Sequence, residues 1–210
     1  MRSLGCRGEP VAGRFEAWSR MPNTTHSSIP SHPSERSCID LVNSSFTDYL
    51  GLGEPVDRVN SREWRRWFFR RLGLHRLPCD VAIEDLVALR RDLRHILEKW
   101  SGGTELSARD AQLLDRRVRQ APLRQRVTST RFGIETLHEP VHEDWTWVLA
   151  TVTASAVDLL SAGDHKRLKT CSNPECSWMF YDNTINRSKQ FCSTSPCGSL
   201  VRVRRFRERD

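Results

Sequence analysis

The sequence predicts a mainly α N-terminal domain carrying one small β-hairpin, followed by a small C-terminal treble-clef-like module, a hairpin plus a basic helix. Three observations lead there. Apolar residues recur at helical spacing in several stretches between residues 37 and 165, one stretch among them alternates instead, and two cysteine pairs of identical spacing precede an arginine-rich C-terminus.

The chain has 210 residues, of which 38% are hydrophobic, enough for one ordinary domain and a small module. Residues 1–36 are rich in Ser, Pro, Thr and Gly without an apolar period and read as a disordered tail, with Met21 a second candidate for the true start. No stretch approaches the roughly 20 apolar residues of a membrane-spanning helix, and the first residues lack the apolar run of a secretory signal, so the expectation is a cytoplasmic protein with no membrane partner. The formal charge of +7 favours acidic partners, nucleic acid first among them.

Residues 37–165 form the predicted helical domain. "CIDLVNSSFTDYL" is apolar enough for a core but too short to assign by period. In "NSREWRRWFFRRLGL", Asn60 and Glu63 are spaced as a capping box, and Trp64, Trp67, Phe68 and Leu72 recur at helical spacing before Gly73. "AIEDLVALRRDLRHILEKW" is the clearest helix, with a stripe of Ile83, Leu86, Val87, Leu93, Ile96, Leu97 and Trp100 that Gly102 and Gly103 end. Ser107 and Asp110 cap a further helix with Ala111, Leu114 and Val118 facing inward. "RQRVTSTRFGIETL" alternates and predicts the hairpin, and a long helix follows from about Val141 to Ala162. Asp40, Asn43, Arg90 and Arg94 fit a buried polar network better than a ligand site.

"HEPVH", His138–His142, has the letters of a zinc-hydrolase motif, which needs both histidines on one face of a continuous helix. Pro140 removes a backbone donor and turns Glu139 away from helical angles, so it belongs at the entry of the next helix and no catalytic metal is expected there. With neither a phosphate-binding glycine loop nor a nucleophile motif, the chain does not read as an enzyme.

Cys171 and Cys176 are separated by four residues, as are Cys192 and Cys197, and fifteen residues lie between the pairs. Two short-spaced pairs can each supply half of a tetrahedron of thiolates around one structural Zn2+, with no position left for substrate. "SWMFYD" reads as a strand, "NTINRS" as a turn and "KQF" as a return strand, so residues 166–210 are expected to fold as a four-cysteine zinc finger. Such a module buries too little apolar surface to fold without its metal. Cys6, Cys38 and Cys79 read as a tail thiol and two small hydrophobes.

Cys171, Cys176, Trp178, Phe180, Asp182, Arg187, Cys192, Cys197 and Gly198 resemble the finger of the CGNR zinc-finger family. "CIDLVNS", through Asp40 and Asn43, and "LVALRRDLRHIL" resemble the ABATE domain that precedes this finger in the family, whose proposed role is stress-induced transcription regulation. Ser199 and Leu200 stand where the family signature has Asn and Arg. The resemblance implies a zinc-binding, DNA-binding regulator.

In a C-terminal helix, Leu200, Val203 and Phe206 would share an arc suited to packing on Trp178 and Phe180. Arg202, Arg205 and Arg209 would share another, flanked by Arg204 and Arg207. With Arg187 and Lys189 of the basic turn they are the candidate nucleic-acid contacts, because arginine binds phosphates and reads guanine edges. The expected function is DNA-binding transcriptional regulation, the helical domain sensing a signal or setting oligomeric state. RNA, with Trp178, Phe180 and Tyr181 as stacking rings, a homodimer and an unidentified small-molecule effector stay open as partners. The alternative is a zinc-stabilised protein-interaction or RNA-binding module without sequence-specific DNA binding.

Overall fold

The computed structural model describes residues 36–48, 53–74, 82–131, 133–142 and 144–207. The predicted tail apart from Arg36, together with Cys6, Cys79 and Arg209, lies outside them.

Helix α1, Ser37–Val42, has Cys38, Ile39, Asp40, Leu41 and Val42 all buried. A helix buried on every side must sit among other elements rather than on them, and α1 packs between the long helices α3, Ile83–Ser101, and α5, Trp145–Ala162. A short antiparallel pair follows it, β1, Ser45–Thr47, with β2, Pro55–Asp57. Helix α2, Arg62–Arg71, is capped one residue later than the spacing suggested: the Ser61 hydroxyl, not Asn60, accepts from the Trp64 N–H. It ends at Gly73, whose φ of +84° is the left-handed conformation of a helix stop. Its Trp64 and Phe68 stack at 4.7 Å, and Phe69 meets Trp145 of α5 edge-on at 5.9 Å.

Along α3 the buried stripe is Leu86, Leu89, Arg90, Leu93, Ile96 and Leu97. Leu89 joins the core where Val87 was expected, and Val87 is exposed, because the stripe follows the line of contact with α1 and α5. Helix α4, Ala108–Val118, carries the predicted Ser107–Asp110 capping box, and Lys99 Nζ reaches Asp110 at 2.6 Å. This amphipathic helix buries Leu114 but leaves Ala111 and Val118 exposed.

The hairpin is β3, Leu123–Thr130, with β4, Gly133–Pro140, paired from Leu123↔Pro140 to Thr130↔Gly133. Strand β4 holds His138, Glu139 and Pro140 in extended chain, so the two histidines of "HEPVH" are not one helical turn apart. Pro140 therefore ends a strand and does not open α5. That helix begins only at Trp145, where Asp144 Oδ1 accepts the Trp147 N–H. Among the described helices α5 is long and apolar enough to cross a membrane, unlike any stretch expected from the sequence. Its Val148, Leu149, Val152, Ala156 and Leu159 are spent on the core. Gly163 closes it: a Cβ there would collide with the Leu159 carbonyl oxygen.

The C-terminal part differs from its expected order. Strand β5, Leu168–Thr170, pairs antiparallel with β6, Met179–Tyr181, in register Leu168↔Tyr181, so the hairpin brackets the first cysteine pair instead of lying between the two pairs. "KQF" forms no strand in the fold. Helix α6, Ser199–Arg207, follows the second pair.

The two parts share one core, since Leu168 and Met179 are buried among the residues of α1, α3 and α5. Asn43 seals the joint: its Nδ2 donates to the Met179 carbonyl at 2.8 Å and its Oδ1 accepts the Met179 N–H at 2.9 Å. Arg94 donates to the carbonyls of Val42 and Ser177, and Arg58 lies against Phe46 of the helical part and Trp178 of the finger. Burial lowers the Arg58 pKa to about 10, which leaves it charged at neutral pH. The polar residues singled out from the sequence are thus all paired, Asp40, Asn43 and Arg90 buried and Arg94 half-buried, but in separate contacts: Asp40 with Arg71 and Arg90 with Asp57 and Ser44, besides the two just described.

Removing the Asn43 amide strands two buried backbone groups of Met179, each costing roughly 1–3 kcal/mol. Asn43→Ala is therefore expected to lower stability by about 2–6 kcal/mol in denaturant unfolding and to raise amide exchange in β6 more than in α3.

Candidate metal centre and its basic helix

The Cys171–Cys176 turn is a knuckle between β5 and β6. The Cys171 N–H donates to the Trp178 carbonyl, and the Cys176 N–H donates to the Asn173 carbonyl, folding the loop back on itself. Asn173, 1% exposed, takes the Glu175 N–H on its Oδ1 and directs its Nδ2 at Cys197 Sγ, 3.9 Å away. The second pair arrives from the other side: the Cys192 N–H lies 3.5 Å from Cys171 Sγ, and Cys197 sits in the turn that opens α6. Gly198 sits close to Arg202 and Phe191, where a Cβ would make a tight contact with the Arg202 guanidinium at 3.3 Å and an ordinary one with Phe191 at 3.5 Å.

The four sulfurs lie within 4.8 Å of one another, with Cys176–Cys192 at 3.8 Å and Cys192–Cys197 at 3.5 Å. A tetrahedron of sulfurs at ~2.3 Å from zinc has edges of about 3.8 Å, so the cluster fits that ion. Its electrostatics fit as well. Thiol donation from Cys176 and Cys192 pulls the Cys171 pKa down to about 6, while Cys176 and Cys192 are pushed up, each first by its contact with Cys171. Four thiols this close cannot all ionise unless a cation takes up the charge. Cys171, Cys176 and Cys197 are buried and all four positions come from protein, as a structural centre requires. The N–H groups aimed at sulfur fix the thiolates in place.

A second polar centre, which the sequence did not reveal as such, orders the loop between the pairs. Asp182, fully buried, takes the Lys169 ammonium on Oδ2 at 2.7 Å, the Lys189 N–H on the same oxygen, and the Thr184 hydroxyl and N–H on Oδ1. Burial works to raise its pKa, but these donors outweigh it and hold the carboxyl well below the usual range. Lys169 also donates to the carbonyls of Arg187 and Lys189, and Arg167 to those of Asp182 and Thr184.

The candidate nucleic-acid residues are brought to the same module and differ in their engagement. Arg187 pairs with Asp164 at 3.0 Å, and Lys189 lies over the Phe180 ring at 4.9 Å, so both hold the finger together. On α6, Arg202 Nε donates to the Gly198 carbonyl, Arg204 reaches Glu175 at 2.8 Å, and Arg207 is exposed. The Arg205 side chain and Arg209 lie outside the described residues. The expected apolar arc is displaced: Val201 is buried, whereas Val203 and Phe206 are 47% and 67% exposed. Trp178, 5.9 Å from Phe46, turns towards the helical part, and Phe180 packs among the cysteines. Tyr181 lies against the main core. The three rings considered for base stacking are therefore engaged within the fold.

Cys38 is a buried hydrophobe, as expected; burial pushes its thiol up to about 11.

A knuckle, a hairpin and a helix meeting at four sulfurs define a zinc-finger protein of the treble-clef type, joined to a helical domain. Residues 35–163 match the ABATE family model, described as "Putative stress-induced transcription regulator", and residues 167–210 match the CGNR zinc finger. The first match covers more than half of the chain, which belongs to the ABATE family, with a CGNR finger as its C-terminal part. No curated protein matches it. The paired families are those of a zinc-binding regulator.

One zinc per chain is expected by elemental analysis, and Cys192→Ser is expected to lose it. Because the finger shares the main core, chelation should lower the unfolding midpoint of the whole chain and not of residues 166–210 alone; a structural zinc supplies on the order of 10 kcal/mol to an isolated finger. Asp182→Asn is expected to cost about 3 kcal/mol at neutral pH by leaving Lys169 without its buried partner. A depressed carboxyl contributes fully above its unfolded pKa of about 3.9 and loses that contribution as pH falls through the folded value. The gap between variant and wild type in denaturant unfolding should therefore close in acid, with zinc content followed in parallel.

Proposed function

We propose that the protein is a DNA-binding transcriptional regulator, with α6 as its docking element and the helical domain as the part that senses a signal or sets the oligomeric state. The observation that carries this reading is the anchoring of a basic helix, with Arg202, Arg204 and Arg207 exposed, directly on a ligand of the metal centre. A helix fixed at its first turn by a metal presents its outer face without a large ordering cost, and arginines on that face suit phosphates and guanine edges. The partners of Arg202 and Arg204 within the finger are compatible with this, since both side chains reach solvent. Ser199 and Leu200 replace the family's Asn and Arg in the first turn, so base reading falls to residues further along the helix.

A second reading rests on Val203 and Phe206, which expose apolar surface on the same helix: α6 as a protein-interaction surface. Selection from a random double-stranded DNA pool with zinc-loaded protein separates the two. DNA binding predicts an enriched motif, lost in an Arg202/Arg207→Ala variant. Its affinity should fall with salt, with a log–log slope lowered by about 1 for each phosphate contact removed. Salt-independent background affinity would instead support the interaction surface.

A further inference from the structure

Between α1, the end of α2 and α5 lies an open cleft of about 490 Å³, a volume in the range of small-molecule sites. Its polar lining is Arg36 and Ser37 at the entry of α1, Arg71 at the end of α2, and Thr151, Ser155 and Asp158 of α5. The last three recur at i, i+4 and i+7 and so share one face of that helix. Behind the lining, buried Asp40 pairs with Arg71, Oδ2 to Nε at 3.0 Å, which fixes the guanidinium in place.

The charges decide what such a cleft accepts. Arg36 and Arg71 bring two positive charges from the α1 and α2 side; Asp158 brings one negative charge from α5, and Asp40 a second from behind. Positive charge thus lies on the α1 and α2 side of the opening and negative charge on α5. A simple anion would meet Asp158, and a simple cation would meet two guanidiniums. A ligand with one charge of each sign satisfies both sides, and a guanidinium fork matches a carboxylate. We propose that the cleft binds a small zwitterion, a free amino acid or a close relative, with its carboxylate towards Arg36 and Arg71 and its ammonium towards Asp158. Hydroxyls of Ser37, Thr151 and Ser155 complete the polar surround.

The cleft is also joined to the finger. The Arg36 guanidinium lies 4.8 Å over the Tyr181 ring on β6, and the Tyr181 hydroxyl accepts the Asp164 N–H. A carboxylate that draws on Arg36 competes with this cation–π contact and changes the hold on β6. The inference deepens the sensing role proposed above and rests on that reading for its biological meaning, but the binding itself involves no nucleic acid.

Calorimetric titration of the zinc-loaded full chain with each proteinogenic amino acid, with acetate and methylamine as single-charge controls, tests it. At least one amino acid should bind at least about tenfold more tightly than either control, as expected for one added charge-assisted hydrogen bond. Its addition should alter amide exchange in β6. Asp158→Asn, at an exposed position that the fold does not depend on, should weaken binding by about tenfold or more. Binding of no amino acid, equal binding of acetate, or undiminished binding by Asp158→Asn would each overturn the assignment. DNA selection succeeding alongside such a result would leave the regulator reading intact, and a bound amino acid with no DNA motif would do the reverse.

Discussion

Four thiols held within 4.8 Å of one another are the constraint on which the C-terminal finger depends. Without a cation, that arrangement sets sulfur against sulfur; with one, it closes two loops at once and fixes the start of α6. The peptide between Cys192 and Cys197 carries no regular strand, and only the knuckle has a hairpin beneath it. Metal coordination thus does the work that a hydrophobic core does elsewhere, and a basic helix can be presented on a very small foundation.

That foundation is not free-standing. Leu168 and Met179 lie in the main core, Asn43 completes the hydrogen bonding of Met179, and Arg58 is held between rings of both parts. The buried backbone groups of Met179, which no strand among the described residues pairs on that side, are matched by an amide from the "LVN" stretch. The finger therefore reports on the packing of α1, and α1 reports on α2, α3 and α5. Under the proposed regulator reading, a change in the helical part would reach the finger through this shared core and not through a flexible linker.

Much of the architecture was legible because it follows from local rules. Apolar spacing marked α2 to α5, the Ser107–Asp110 pair marked a helix start, and Gly73 and Gly163 marked two ends. Departures came where distant contacts outvoted local pattern. Leu89 replaced Val87 on the core face of α3, Val201 replaced Val203 on α6, and Pro140 closed a strand instead of opening a helix, since it pairs with Leu123 and Glu139 pairs with Arg124. The strand expected at "KQF" failed because Asp182, Lys169 and Thr184 bind that loop through side chains, leaving no ladder for a return strand.

The sequence by itself determined the metal centre: two cysteine pairs of equal spacing leave few geometries other than a shared tetrahedron, and this is a matter of covalent reach and ligand chemistry. It also determined that the helix after Cys197 would be basic. Only the tertiary structure decided which face of that helix is exposed, which strand pairs with which, and that Asn43 and Arg94 serve the joint between the two parts. The joint depends on hydrogen bonds between residues more than 80 positions apart, which no local period records.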